Sequence, residues 1–188
     1  MMGKIERIKT IKNVSLKRLL EYENPEVVAR FCKDLGVSKK FASTVFKDML
    51  RYLYLDAKFQ RAMQAKVSGR TRKRLPKVVL VTKQMLIIDE MWHSFVLYTK
   101  DYTAFSHKYF GIYIHHVPAP ALKQTPTFIA ELDRDEMYTY LKFIQDELGE
   151  DVVERWFVEY PRFNKTKILQ MQLKAVKPLR RSNNRGDV

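Results

Sequence analysis

All four histidines of the 188-residue chain, His93, His107, His115 and His116, fall in DEMWHSFVLYTKDYTAFSHKYFGIYIHHVP, the stretch from Asp89 to Pro118. Asp89 and His93 are four residues apart, so on a helix they share one face. At that spacing a carboxylate either orients an imidazole by accepting its N–H or joins it on one cation. On one unbroken helix His107 would lie about 21 Å from His93, at roughly 1.5 Å per residue, too far to share an ion. Thr99-Lys100-Asp101 offers a break, because Thr and Asp favour caps and turns, and a hairpin there lets His93 and His107 face each other. His115 and His116 follow Gly111. On an extended segment their rings point to opposite sides, so one of the two joins a shared site.

Asp89, His93, His107 and one of His115 or His116 make a mixed nitrogen and oxygen ligand set. It suits a single divalent transition metal, Zn2+, Fe2+ or Mn2+. Without metal the same groups suit acid–base chemistry near neutral pH. The plainer alternative is that each imidazole donates a hydrogen bond to backbone inside an aromatic-rich core. No HExxH and no CxxC accompanies the window.

The stretch IIDEMWHSFVLYTKDYTAFSHKYFGIYIHHVP, residues 87–118, resembles the signature of the glycine-rich domain-containing protein-like family. In its short bacterial form that signature reads D-E-M-W-H-x-F-x-L-[FY]-T-x-x-Y-x-x-F, then F-G-x-[FY]-[IL]-H-H-x-P. The resemblance implies a helical fold and a functional role for Asp89, Trp92, His93, His115 and His116. Nucleic-acid-related roles have been suggested for plant members of that family. The chain departs from the plant core at Ser94 and Phe95, where that core continues T-H, and it has no glycine-rich tail.

The elements that must position these residues read as helices. Ser15 caps a first helix that closes near Asn24-Pro25, and Pro25 opens PEVVARFCKDL, with Gly36 as its stop. Ser38 caps a long helix, KKFASTVFKDMLRYLYLDAKFQRAMQ, that is apolar on one face. Thr82 caps the helix that carries IIDEMWHSFVLY, and Thr99 or Asp101 starts the next, ended by Gly111. IYIHHVPAPALKQTPT is an extended connection. Asp133 opens DEMYTYLKFIQDEL, and EDVVERWFVEY is a short helix that Pro161 ends. VVLV (78–81) and GIYIHHV (111–117) are weak strand candidates. Trp92, Phe95, Tyr98, Tyr102, Phe105, Tyr109 and Phe110 recur at three- and four-residue steps, a core stripe, with Tyr109 and Tyr113 the more exposed rings. The segment from Val27 to Leu50 faintly resembles a helix-turn-helix in which Lys39, Lys40 and Lys47 would meet DNA, although its second helix is long and apolar for that role. The fold class is all-α. Residues 1–175 form a single helical domain, and 176–188 form a basic, flexible tail.

Charge bounds the partners. Thirty-five basic residues against 21 acidic ones give +14 and a pI near 9.8. Residues 129–159 hold ten acids and three bases, a net of −7, which leaves 32 bases, 11 acids and +21 for the rest. A field of that sign attracts polyanions. The loop KVSGRTRKRLPK brings Lys66, Arg70, Arg72, Lys73, Arg74 and Lys77 together without an acid, and the tail adds Lys177, Arg180 and Arg181. Arg and Lys at such density suit phosphate backbones, which they position without reading sequence.

Cys32 is the single cysteine, so no internal disulfide forms, which suits a reducing, cytoplasmic setting. No secretory signal and no membrane-length apolar run is evident, and a membrane is not an expected partner. Two functions follow. The first is a basic accessory protein that binds RNA, DNA or a ribonucleoprotein through phosphates, with a histidine-rich site of unknown role. The second is a metal-dependent enzyme acting on a phosphate-containing or nucleotide substrate. The acidic 129–159 face could also dock a protein partner.

Overall fold

The computed structural model describes residues 11–67, 75–116 and 133–163. Among them there are seven α-helices and no strand: α1 (Leu16–Leu20), α2 (Pro25–Leu35), α3 (Lys39–Val67), α4 (Leu86–Val96), α5 (Thr99–Phe110), α6 (Arg134–Leu148) and α7 (Glu150–Glu154). The fold is all-α. The two weak strand candidates carry no strand among the described residues: neither 78–81 nor 111–116 is one, and residue 117 lies outside them.

The caps follow local chemistry. Ser15 Oγ accepts from Arg18 N, and Ser38 Oγ accepts from Phe41 N. Asn24 Oδ1 accepts from Val27 N at 3.1 Å while its Nδ2 donates to Asp101 Oδ2 at 3.1 Å, so one side chain caps α2 and also holds the first turn of α5. Gly36 ends α2 at φ +63°, a left-handed conformation that a Cβ would strain. Thr82 departs from expectation. It precedes a 3₁₀ turn (Lys83–Met85), and its buried hydroxyl makes no cap bond.

α3 is the axis. Ala42, Val45, Phe46, Met49, Leu50, Tyr52, Leu53, Leu55 and Ala57 are buried along it, and α1, α2, α4 and α6 pack around it. Each large apolar side chain buried this way contributes roughly 1.5–3 kcal/mol. A recognition helix would keep one face free, whereas Lys47 of α3 is committed to the Leu20 and Tyr22 carbonyls at 2.8 and 2.9 Å. Buried residues from Ile11 to Tyr160 form one core. The expected boundary at 175/176 and the tail lie outside the described residues.

Helix α7 does not stop at Pro161. It passes into a π turn (Arg155–Glu159) and stays helical through residue 163. Tyr160 N–H bonds back to Arg155 O, five residues earlier, and the wider turn accommodates a proline that has no N–H to give.

Candidate metal centre

Helix α4 positions the first two groups. Ile87, Ile88, Met91, Trp92 and Phe95 face the core, which leaves Asp89 and His93, one turn apart, on the rim. His93 Nδ1 lies 3.4 Å from Asp89 Oδ2. Leu97 and Tyr98 make the turn into α5, so the chain breaks just before the expected Thr99-Lys100-Asp101, which instead forms the first turn of α5. α5 delivers the chain to Gly111 (φ +76°) and back toward α4.

From Gly111 to residue 116 the chain forms neither helix nor strand, and burial alternates over the last three residues. Ile114 is buried, His115 is exposed, and His116 faces inward. His116 Nε2 sits 3.0 Å from Asp89 Oδ1. A carboxylate only accepts, so in this geometry His116 donates from Nε2. The His116 ring lies 4.3 Å from that of His93 and edge-on to Trp92 at 4.2 Å. Side-chain exposure grades across the group: 9% for His116, 25% for Asp89 and 48% for His93. The site is therefore anchored on one side and open to solvent on the other.

Asp89, His93 and His116 each present one ligand atom, and these atoms all lie within 4.8 Å of one another. Ligand atoms around one ion with bonds of about 2.0–2.1 Å are spaced about 3.0–3.4 Å apart. Two contacts already match that spacing. A small closure of the two rings completes a set of two imidazoles and one carboxylate. Three protein ligands leave coordination positions for water or substrate.

His107 does not join, against expectation, and of His115 and His116, of which one was expected to join, it is His116 that does. His107 is exposed at the far end of α5, where the stripe of Tyr102, Phe105, Ser106, Tyr109 and Phe110 takes the buried face. Burying that stripe turns His107 outward. His115 is exposed against Tyr113, on the outer side of the alternation. Tyr109, expected to be exposed, is buried.

Behind the metal-ligand candidates lies a hydroxyl network that the sequence did not single out. Trp92 Nε1–H donates to Tyr102 Oη at 2.9 Å, and Tyr102 O–H donates to the Ile114 carbonyl at 2.7 Å. Burial pushes the Tyr102 phenol up to about 12, against the pull of the Trp92 hydrogen bond. Tyrosine rather than phenylalanine inside a core stripe was the available signal, since a buried phenol needs a partner. Burial also raises the Glu90 carboxyl, with His93 lowering it and Asp89 raising it.

The expected phosphate contacts are mostly not described. Arg70, Arg72, Lys73, Arg74, Lys177, Arg180 and Arg181 lie outside the described residues. Lys66 is exposed in the last turn of α3. Lys77 Nζ pairs with Glu136 Oε1 at 2.8 Å. The acidic 129–159 stretch is partly committed within the molecule. Asp133 caps α6, Asp146 pairs with Lys142, Glu147 with Lys58, and Asp151 with Arg155. Among the described residues no helix is long and apolar enough to cross a membrane.

Fold and site together define an all-helical protein with a two-histidine, one-carboxylate cluster at the mouth of a helical hairpin. The chain belongs to the UCP032817-like family, an uncharacterised family whose model matches residues 24–135, more than half of the chain and all of α2 to α5. This corrects the resemblance to the glycine-rich domain-containing family, which nothing in the comparisons indicates. That resemblance stood on about thirty residues, many of them aromatics that pack a helical hairpin, whereas the family match spans four helices. Neither the curated proteins nor the solved structures contain a match.

Proposed function

We propose that this protein is metal-dependent and acts on a phosphate-containing ligand at a mononuclear centre built from Asp89, His93 and His116. The observation that carries the reading is their convergence from two separate segments, with ligand atoms within 4.8 Å of one another. Two imidazoles and a carboxylate suit Zn2+, Fe2+ or Mn2+. An ion there would polarise a phosphoryl oxygen or activate a water, and the exposed His93 side leaves room for either. The net charge of +14 would raise the local concentration of an anionic substrate.

The test is metal content of protein purified without a histidine tag, with His93→Ala in parallel. About one transition metal per chain, lost in the variant, supports the reading. No metal in either protein, and no uptake of added Zn2+, Fe2+ or Mn2+, sinks it.

A second reading is favoured by the charge alone: a basic accessory protein on RNA, DNA or a ribonucleoprotein. It requires no ion and predicts steeply salt-dependent binding. The two readings are compatible, since a metal ion and an excess of positive charge both suit a phosphodiester.

A further inference from the structure

His116 has less local support than the other two groups. Asp89 and His93 are fixed by the α4 backbone, one turn apart, whereas His116 hangs on a segment without helix or strand, five residues past Gly111. Burial alternates there, with Ile114 in, His115 out and His116 in, so a shift of one residue would swing His115 inward and His116 into solvent. Something must fix the phase of that alternation.

We propose that Tyr102 is a positioning residue for this site: by holding the Ile114 carbonyl it keeps Ile114 and His116 inward and aims His116 at Asp89. Tyr102 is fully buried on α5. Its O–H donates to the Ile114 carbonyl at 2.7 Å, two residues before His116. Its oxygen accepts from Trp92 Nε1 at 2.9 Å, and Trp92 immediately precedes His93 on α4. The Trp92 ring in turn stands edge-on to His116 at 4.2 Å. One phenol thus ties α4, α5 and the outgoing segment together. Neighbours of this kind govern how well a ligand is presented, and their loss typically weakens metal binding about 10–100-fold. The consequence for metal rests on the metal reading above, while the aim of His116 does not.

The experiment compares full-length wild type, Tyr102→Phe and Tyr140→Phe. Tyr140 is the control, because its buried hydroxyl also donates to a backbone carbonyl, that of Leu80, at 2.7 Å, outside the cluster. Phenylalanine keeps the ring packing in both variants. The first readout is Co2+ affinity by competition with a chromophoric chelator. The second is the NMR shift of the His116 ring protons in metal-free protein, which the nearby Trp92 indole displaces. Tyr102→Phe should bind Co2+ about 10–100-fold more weakly and lose the Trp92-induced shift. Tyr140→Phe should stay within about twofold and keep it. The proposal fails if Tyr102→Phe retains wild-type affinity and shift, or if Tyr140→Phe changes both as much. Wild type that does not take up Co2+ would count against the metal reading, and the His116 shift would then decide the role of Tyr102 on its own.

Discussion

Asp89 divides its two oxygens between two imidazoles, Oδ1 at 3.0 Å from His116 and Oδ2 at 3.4 Å from His93. Replacing any one of the three should cost far more metal affinity than replacing an outlying histidine. Asp89→Asn, His93→Ala and His116→Ala should each weaken Zn2+ binding by more than about 100-fold, whereas His107→Ala and His115→Ala should stay within about twofold. Isothermal titration of tag-free protein separates the two groups. Part of this was legible in the sequence. The i, i+4 spacing placed Asp89 and His93 together, and alternation meant that one of His115 and His116 would turn away. His107 was not legible, because its orientation depends on where five other α5 side chains pack. Asp56 carries a different prediction. Burial pushes its carboxyl up to about 6 from 3.8, partly offset by the Gln60 amide at 2.7 Å. The folded state therefore keeps a proton that the unfolded chain releases, and stability falls as pH rises from about 4 through 6. Asp56→Asn keeps an acceptor for Gln60 and removes that titration. It should be more stable than wild type at pH 7 by of order 2 kcal/mol, with the two converging near pH 4. Urea unfolding at both pH values measures the difference, and a gap independent of pH would exclude this origin.

At the scale of elements, the last helical stretch among the described residues, 150–163, is tied to α3 by a buried carboxylate. Asp48, with no exposure, accepts from Arg155 Nε at 2.7 Å and Nη2 at 3.1 Å, from Arg51 Nη1 at 2.8 Å and from Tyr160 Oη at 2.5 Å. The aspartate beside it holds the Arg155 guanidinium well above its ordinary value, and burial with the same carboxylate raises the Tyr160 phenol. Removing one partner of such a group leaves the others uncompensated. Asp48→Ala should cost about 3 kcal/mol, the lower end for a buried pair, because Arg155 keeps some contact with water. Hydrogen exchange should show protection lost first over residues 150–163. The caps of α1, α3 and α6 and the stop of α2 were readable from Ser15, Ser38, Asp133 and Gly36, because each acts through its nearest neighbours, whereas Asn24, read as the close of the first helix, caps α2. The passage of the 150–163 stretch through Pro161 was not readable. It depends on a π turn and on a partner more than a hundred residues away in sequence, and neither leaves a local signature.

The whole molecule carries +14, and that excess is independent of the cluster on α4. Cation count and metal site therefore make separable predictions. A protein that meets five or six phosphates loses affinity with a log–log salt slope of about −4.5 to −5.5 on duplex, somewhat less on single strands. Substituting Arg70, Arg72, Lys73 and Arg74 together by Gln should flatten that slope by about 3, and should weaken binding alike for unrelated sequences, since phosphate contacts carry no sequence information. If nucleic acid is bound by those charges alone, His93→Ala, which leaves all four in place, should leave the slope unchanged. Fluorescence anisotropy with labelled single-stranded and duplex probes across a salt series measures all three. A flat slope in wild type would remove nucleic acid as the partner and leave the charge to attract a smaller anion to the metal centre. A steep slope that His93→Ala also flattens would mean that the ion itself contacts phosphate, as the metal reading requires.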